Sequence, residues 1–123
     1  LQRKVLILKS LPNFWDWSYK KAKLFHQNAK ELISNNRLTS YEKDQLSRAS
    51  FSIVLNIAEG SGRFSAKDRR NFFVITRSSV FECVAILDIL EDSNILSKEE
   101  FDSLENQADE FSRMLYAMIK NLS

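Results

Sequence analysis

Glycine, proline, cysteine and histidine are scarce in this chain: two, one, one and one among 123 residues. Average usage would supply about nine glycines and six prolines at this length. β-Sandwiches and barrels need a turn residue every few positions, and dinucleotide and P-loop folds need glycine-rich phosphate loops. The composition argues against all of them. A single cysteine, Cys83, excludes an intramolecular disulfide framework and suits a reducing cytosol. Its apolar neighbours Val84 to Leu87 mark it as buried filler rather than a reactive thiol. With His26 the only histidine, closed zinc sites of the usual kinds cannot be built within the chain. The Glu-x-x-His pairs of di-iron bundles are also missing, and nothing points to a Ser–His–Asp arrangement. Neither a cofactor nor a resident metal is implied, and the chain reads as a non-enzyme. No apolar stretch approaches the ~20 residues of a membrane span. Val5–Leu8 falls short of the roughly 7–15 apolar residues of a signal-peptide core. The expectation is a cytoplasmic protein with no membrane partner.

What is present is helical pattern. Hydrophobic residues make up 44% of the chain and charged residues 28%, enough to fill and solvate one domain. After Pro12, Ala22, Phe25, Ala29 and Leu32 recur at three- and four-residue steps, with Trp15 and Tyr19 extending the stripe. Leu46, Ala49, Ile53 and Ile57 mark a second helix, with Gly60 as its expected terminator. Ser65 and Asp68 resemble a capping box that opens a long third helix, and Ser97 and Glu100 form the standard pair for a fourth. There Phe101, Leu104, Ala108, Phe111, Leu115, Met118 and Leu122 make an unbroken bundle-type seam. The spacing predicts helices over about 16–34, 42–59, 66–92 and 98–121, preceded by a tail at 1–13. Short connections make sequential helices antiparallel neighbours. The expected fold is an all-α, up-down-up-down four-helix bundle occupying 14–123 as one domain.

Two of these helices are too apolar for one core. Thirteen of the nineteen residues from Phe72 to Leu90 are apolar, as are eight of the thirteen from Leu46 to Ala58. A bundle helix needs about three per seven. The surplus predicts self-association, with Phe72, Ile75, Cys83, Ile86, Phe51 and Leu55 as candidate interface residues. The plainer alternative is that both helices are central, with Val5–Leu8 covering the rest.

Within the second helix, Gln45, Arg48, Ser52, Asn56 and Glu59 fall within about 80° of one another at 100° per residue. Glu59 opposes the helix dipole there, and Asn56 and Ser52 are weak helix formers. Such local rule-breaking marks either a polar network or the solvent side of the helix. Arg48 or Arg63 could offset Glu59, and ion pairing with Arg48, Arg63 or Arg77 accounts for Glu59, Glu82 and Asp88 more simply than a metal between subunits.

Gln45-Leu46-Ser47-Arg48-Ala49, Ser52-Ile53, Asn56-Ile57-Ala58-Glu59-Gly60 and Arg63 resemble the signature of a known family. These are the four-helix-bundle proteins encoded in intervening sequences of bacterial large-subunit ribosomal RNA genes. Phe73, the Arg77-Ser78-Ser79 step and Glu82 fall where that family has phenylalanine, a Gly-Ser step and glutamate, and the similarity spans roughly 14–122. The resemblance implies an antiparallel bundle assembling into a ring, typically a homopentamer, with no established activity for most members. Distantly similar accessory proteins of diversity-generating retroelements form basic pentamers that bind nucleic acid and a reverse transcriptase.

Charge is distributed unevenly along the chain. Residues 1–80 carry fifteen Lys and Arg against six Asp and Glu, and residues 81–123 carry three against ten. Lys20, Lys23 and Lys30 share a stripe on the first helix, and Arg63, Lys67, Arg69 and Arg70 cluster at the turn into the third. Forked arginine donors, lysine point charges and a helix start suit phosphates. Phe64 is the one aromatic interleaved there, so backbone contacts to RNA or DNA are expected. A solvated basic face is the plainer alternative. Glu99, Glu100, Asp102, Glu105, Asp109 and Glu110 on the fourth helix could instead dock a basic protein, which would make the chain a scaffold or accessory subunit without direct nucleic-acid contact.

Overall fold

In the computed structural model, residues 13–122 are described. They form four helices: α1 Asn13–Ile33, α2 Ser40–Ser61, α3 Ala66–Asp92 and α4 Lys98–Asn121. No strand occurs among the described residues. The expected N-terminal extension, and with it any cover provided by Val5–Leu8, lies outside the described residues apart from Asn13; the side chain of Trp15 is also outside them.

Helix starts follow local hydrogen-bonding chemistry. The α2 helix begins two residues before the expected Glu42, because Thr39 caps it. The Thr39 hydroxyl accepts from the Glu42 amide at 3.1 Å, and the Glu42 carboxylate accepts from the Thr39 amide at 2.8 Å. Ser97 and Glu100 make the same reciprocal pair at the start of α4, each bond 3.1 Å. At α3 only half the box forms: Ser65 accepts from the Asp68 amide at 3.0 Å. The shorter aspartate gives no return bond to the cap among the contacts of α3. The α3–α4 turn uses a left-handed Asn94 (φ 60°), a residue that tolerates this conformation.

The buried faces are the periodic ones. Ala22, Phe25, Ala29 and Leu32 from α1 meet Leu46, Ala49, Ile53 and Ile57 from α2 in one core. Phe73, Val80, Leu87 and Leu90 from α3 and Leu104, Ala108, Phe111, Leu115 and Met118 from α4 complete it. Phe101 and Leu122, at the two ends of the α4 seam, are only partly buried against it. Each helix packs on the next in sequence, and a lighter α1–α4 contact closes the circuit. Polar pairs pin that closure: Lys21 donates to Glu110 at 2.6 Å, and Asn28 to Gln107 at 3.1 Å.

Candidate functional site

Both glycines lie at the α2–α3 junction, and neither has a positive φ. Gly60 is not the terminator expected from the sequence. The α2 helix continues through Ser61, and Gly62 caps it in the right-handed region, its amide reaching the Glu59 and Gly60 carbonyls. Gly60 is needed for a close approach instead. A Cβ at this buried position would stand 2.8 Å from the Phe73 ring and 2.9 Å from the Cβ of Phe72. The missing side chain is the space into which α3 packs.

The polar stripe resolves into two different environments. Ser52 shares a 3.0 Å hydrogen bond with Ser79 of α3, hydroxyl to hydroxyl. The Asn56 amide donates to the Ser52 carbonyl at 2.8 Å and to its hydroxyl at 2.9 Å. Ser79 is buried, while Ser52 and Asn56 are half-buried. These weak helix formers are therefore held in an interhelical network. Ser79 belongs to that network, and only the packing of α2 on α3 reveals it. Gln45 is half-buried, whereas Arg48, Glu59, Arg63 and Glu82 are exposed. Arg48 pairs with Asp44 at 2.9 Å, not with Glu59. Arg63 reaches Glu59 at 3.5 Å. Exposed pairs of this kind contribute about 0–1 kcal/mol.

Beside the network, Phe51, Leu55 and Ile75 are 49%, 47% and 48% exposed. Phe72 and Ile86 are half-buried. Cys83 departs from the expected interface set: it is fully buried in the core and has no outer surface to offer a partner. Its position on the helix faces the neighbouring helices because α3 is flanked on both sides, by α2 and α4. Burial, with a smaller contribution from Glu82, pushes the thiol up to about 12. At pH 8 the thiolate fraction is then on the order of one in ten thousand. A thiol reagent at that pH should modify the native protein far more slowly than the urea-unfolded chain; equal rates would place Cys83 at an accessible site.

The basic residues form two groups. Lys20, Lys23 and Lys30 are exposed on α1, with Lys23 lying 4.9 Å over the Tyr19 ring. Lys20 and Lys30 stand about 15 Å apart along the axis and do not make one cluster. At the junction, Arg63 and Lys67 are exposed and Arg69 and Arg70 half-buried, and the Arg63 guanidinium rests 4.9 Å over Phe72. Phe64, between them, is fully exposed. A further cation was not anticipated for this surface. Arg77 lies 4.7 Å over Phe81 and 5.5 Å over Tyr116 of α4. The four-residue step from Arg77 to Phe81 is visible in the sequence; the approach of Tyr116 is not. Lys67, Arg70, Arg77 and Phe81 fall within about 80° on the α3 projection, so three cations and an aromatic share one side of the helix.

His26 stands at the α1–α2 contact, its Nδ1 2.7 Å from the Ser50 hydroxyl and its ring against Phe51. Burial, then the neighbouring charge of Lys30, lowers its pKa. Among the described residues, no group of three or more His, Cys, Asp or Glu is placed to hold a metal ion. No described helix is long and apolar enough to cross a membrane.

The motif surrounding Gly60 sits within a wider match: residues 13–117 fit the family model for 23S rRNA-intervening sequence protein. The chain belongs to this family. Its fold also matches the crystal structure of a protein of unknown function from the S23 ribosomal protein family of Bacteroides thetaiotaomicron. The TM-score is 0.81 at 22% identity, over 87% of this chain and 98% of that one. At that identity the likeness bears on the fold. Among curated proteins nothing matches the chain. Membership in the family is thus clear, and it brings no assigned activity.

Proposed function

We propose that this member of the intervening-sequence family is a non-enzymatic, homo-oligomeric helical bundle. It binds RNA or DNA through a basic surface repeated in each subunit. The observation that carries the reading is the junction surface: Arg63, Lys67 and Arg70 at the turn into α3, continued along the same side of that helix by Arg77, with Arg69 farther around the helix. Phosphates are met there by forked and point-charge donors, and a repeating subunit multiplies modest contacts by avidity.

An antiparallel arrangement is supported by the order of the contacts. Ser52 meets Ser79 while Gly60 meets Phe73, and Lys21 meets Glu110 while Asn28 meets Gln107. Self-association is supported by the half-exposed Phe51, Leu55 and Ile75 beside the motif network. The family resemblance favours a ring of five. A second reading, docking of a basic protein on the acidic face of α4, draws on exposed Glu99, Glu100 and Asp102. Farther along α4, Asp109 and Glu110 are already paired with Arg113 and Lys21.

A salt series of binding to a short labelled RNA tests the proposal. Affinity should fall linearly on a log–log plot, with a slope of about −0.7 per phosphate contact for a single strand. Undetectable binding in low salt would rule out the nucleic-acid role. Light scattering on the same sample should give a mass well above that of one 14.3 kDa chain; a monomer alone at micromolar concentration would remove the oligomer.

A further inference from the structure

We propose that Phe64 is a base-stacking platform, so that the basic junction takes single-stranded rather than duplex nucleic acid. This rests on the nucleic-acid reading above and adds the form of the ligand.

Of the exposed large apolar residues described, Phe64 alone stands outside a helix, and it is the most exposed, at 101%. The chain on both sides of it is anchored. The Gly62 amide donates to the Glu59 carbonyl at 3.1 Å, and the Arg63 amide to the Gly60 carbonyl at 3.3 Å. On the other side Ser65 caps α3, and its carbonyl accepts from the Arg69 amide at 3.1 Å. With the backbone anchored on both sides, only the two side-chain torsions of Phe64 are left to be fixed when something stacks on the ring, which keeps the ordering cost of a single aromatic contact low.

The surroundings specify what stacks. From 63 to 70 the chain carries four cations and one acid, Asp68, whose amide is taken by the cap. The Arg63 guanidinium is laid over Phe72 and reaches Glu59 at 3.5 Å. A ligand with a flat apolar face and flanking phosphates satisfies both features at once. Duplex nucleic acid offers the phosphates but keeps its base faces stacked inside; single strands expose both.

The test compares wild type, Phe64→Leu and Phe64→Trp by anisotropy on a labelled twelve-nucleotide RNA, alone and annealed to its complement, at low salt. A copy of the strand carrying 2-aminopurine reports stacking by its fluorescence. The expected result is tighter binding of the single strand by wild type, and about a ten-fold loss for Phe64→Leu on the single strand with no change on the duplex. Phe64→Trp should retain affinity, and the 2-aminopurine signal should change on binding wild type and Phe64→Trp but not Phe64→Leu. If Phe64→Leu binds as wild type while the salt dependence persists, stacking is wrong and the basic surface stands. If wild type binds neither form, both readings fall together. If Phe64→Leu lowers the mass seen by light scattering, Phe64 is a subunit contact and the stacking inference is overturned.

Discussion

Phe73→Ala is expected to remove about 3–5 kcal/mol of folding stability, the usual range for emptying a fully buried phenylalanine site. Phe73 is completely buried and packs directly on the Cα of Gly60. Against a typical total of about 5–15 kcal/mol, that is about a fifth or more of what holds a domain of this size together. The converse substitution probes the same contact from the other helix. Gly60→Ala gains about 1 kcal/mol of helix propensity but places a methyl 2.8 Å from the Phe73 ring and 2.9 Å from the Phe72 Cβ. The Phe72 Cβ is fixed to the α3 backbone and cannot swing aside, so overpacking of about 1–3 kcal/mol should outweigh the gain. Urea denaturation is the measurement, with a lower midpoint at unchanged slope expected for both variants. Combining Gly60→Ala with Phe73→Leu should cost less than the sum of the two, because the smaller side chain frees space for the methyl. A Gly60→Ala protein as stable as wild type would mean that the helices do not approach as closely as described.

The second large effect is on binding. Arg69→Glu/Arg70→Glu should weaken association with a single-stranded RNA about a hundred-fold at low salt, since two phosphate donors are lost and two repulsive charges gained in every subunit. The salt slope should also shrink by about 0.7 for each phosphate contact removed. Both arginines are half-buried, so part of any loss could arise from disturbed packing of their stems. Lys67→Glu separates the two effects. Lys67 is exposed on the same end of α3, and its reversal should lower affinity with no change in melting temperature. Full binding by all three reversed sites would move the functional surface away from the junction. A pull-down of protein partners insensitive to nuclease would then favour the acidic face of α4.

Local chemistry made the helices legible. The three- and four-residue recurrence of Ala22, Phe25, Ala29 and Leu32, and of Leu104 through Met118, reports which side of a helix is apolar, and those sides are buried. Capping is equally local: the pair Thr39 and Glu42, three residues apart and not among the expected helix starts, begins α2 two residues earlier than the apolar pattern alone suggests. Periodicity is less informative for α3, which is apolar over most of its circumference. There the same pattern fits burial or an outer interface, and Cys83 and Ile75 parted company only once α2 and α4 were packed on either side.

The sequence by itself determined the four helices of the described residues, their apolar sides, most of their ends and, through the motif around Asn56 to Gly60, the family. Tertiary structure decided what the motif does. Gly60 reads locally as backbone freedom but serves as a gap for Phe73; Ser52 and Asn56 fit either a polar network or the solvent side until Ser52 is seen to bond across to Ser79 and Asn56 back to Ser52; Arg77 acquires Tyr116 from another helix. Each of these depends on how closely, and at what register, one helix lies on its neighbour. That distance is set by side chains far apart in the chain, whereas helix formation and capping are settled within a few residues of themselves.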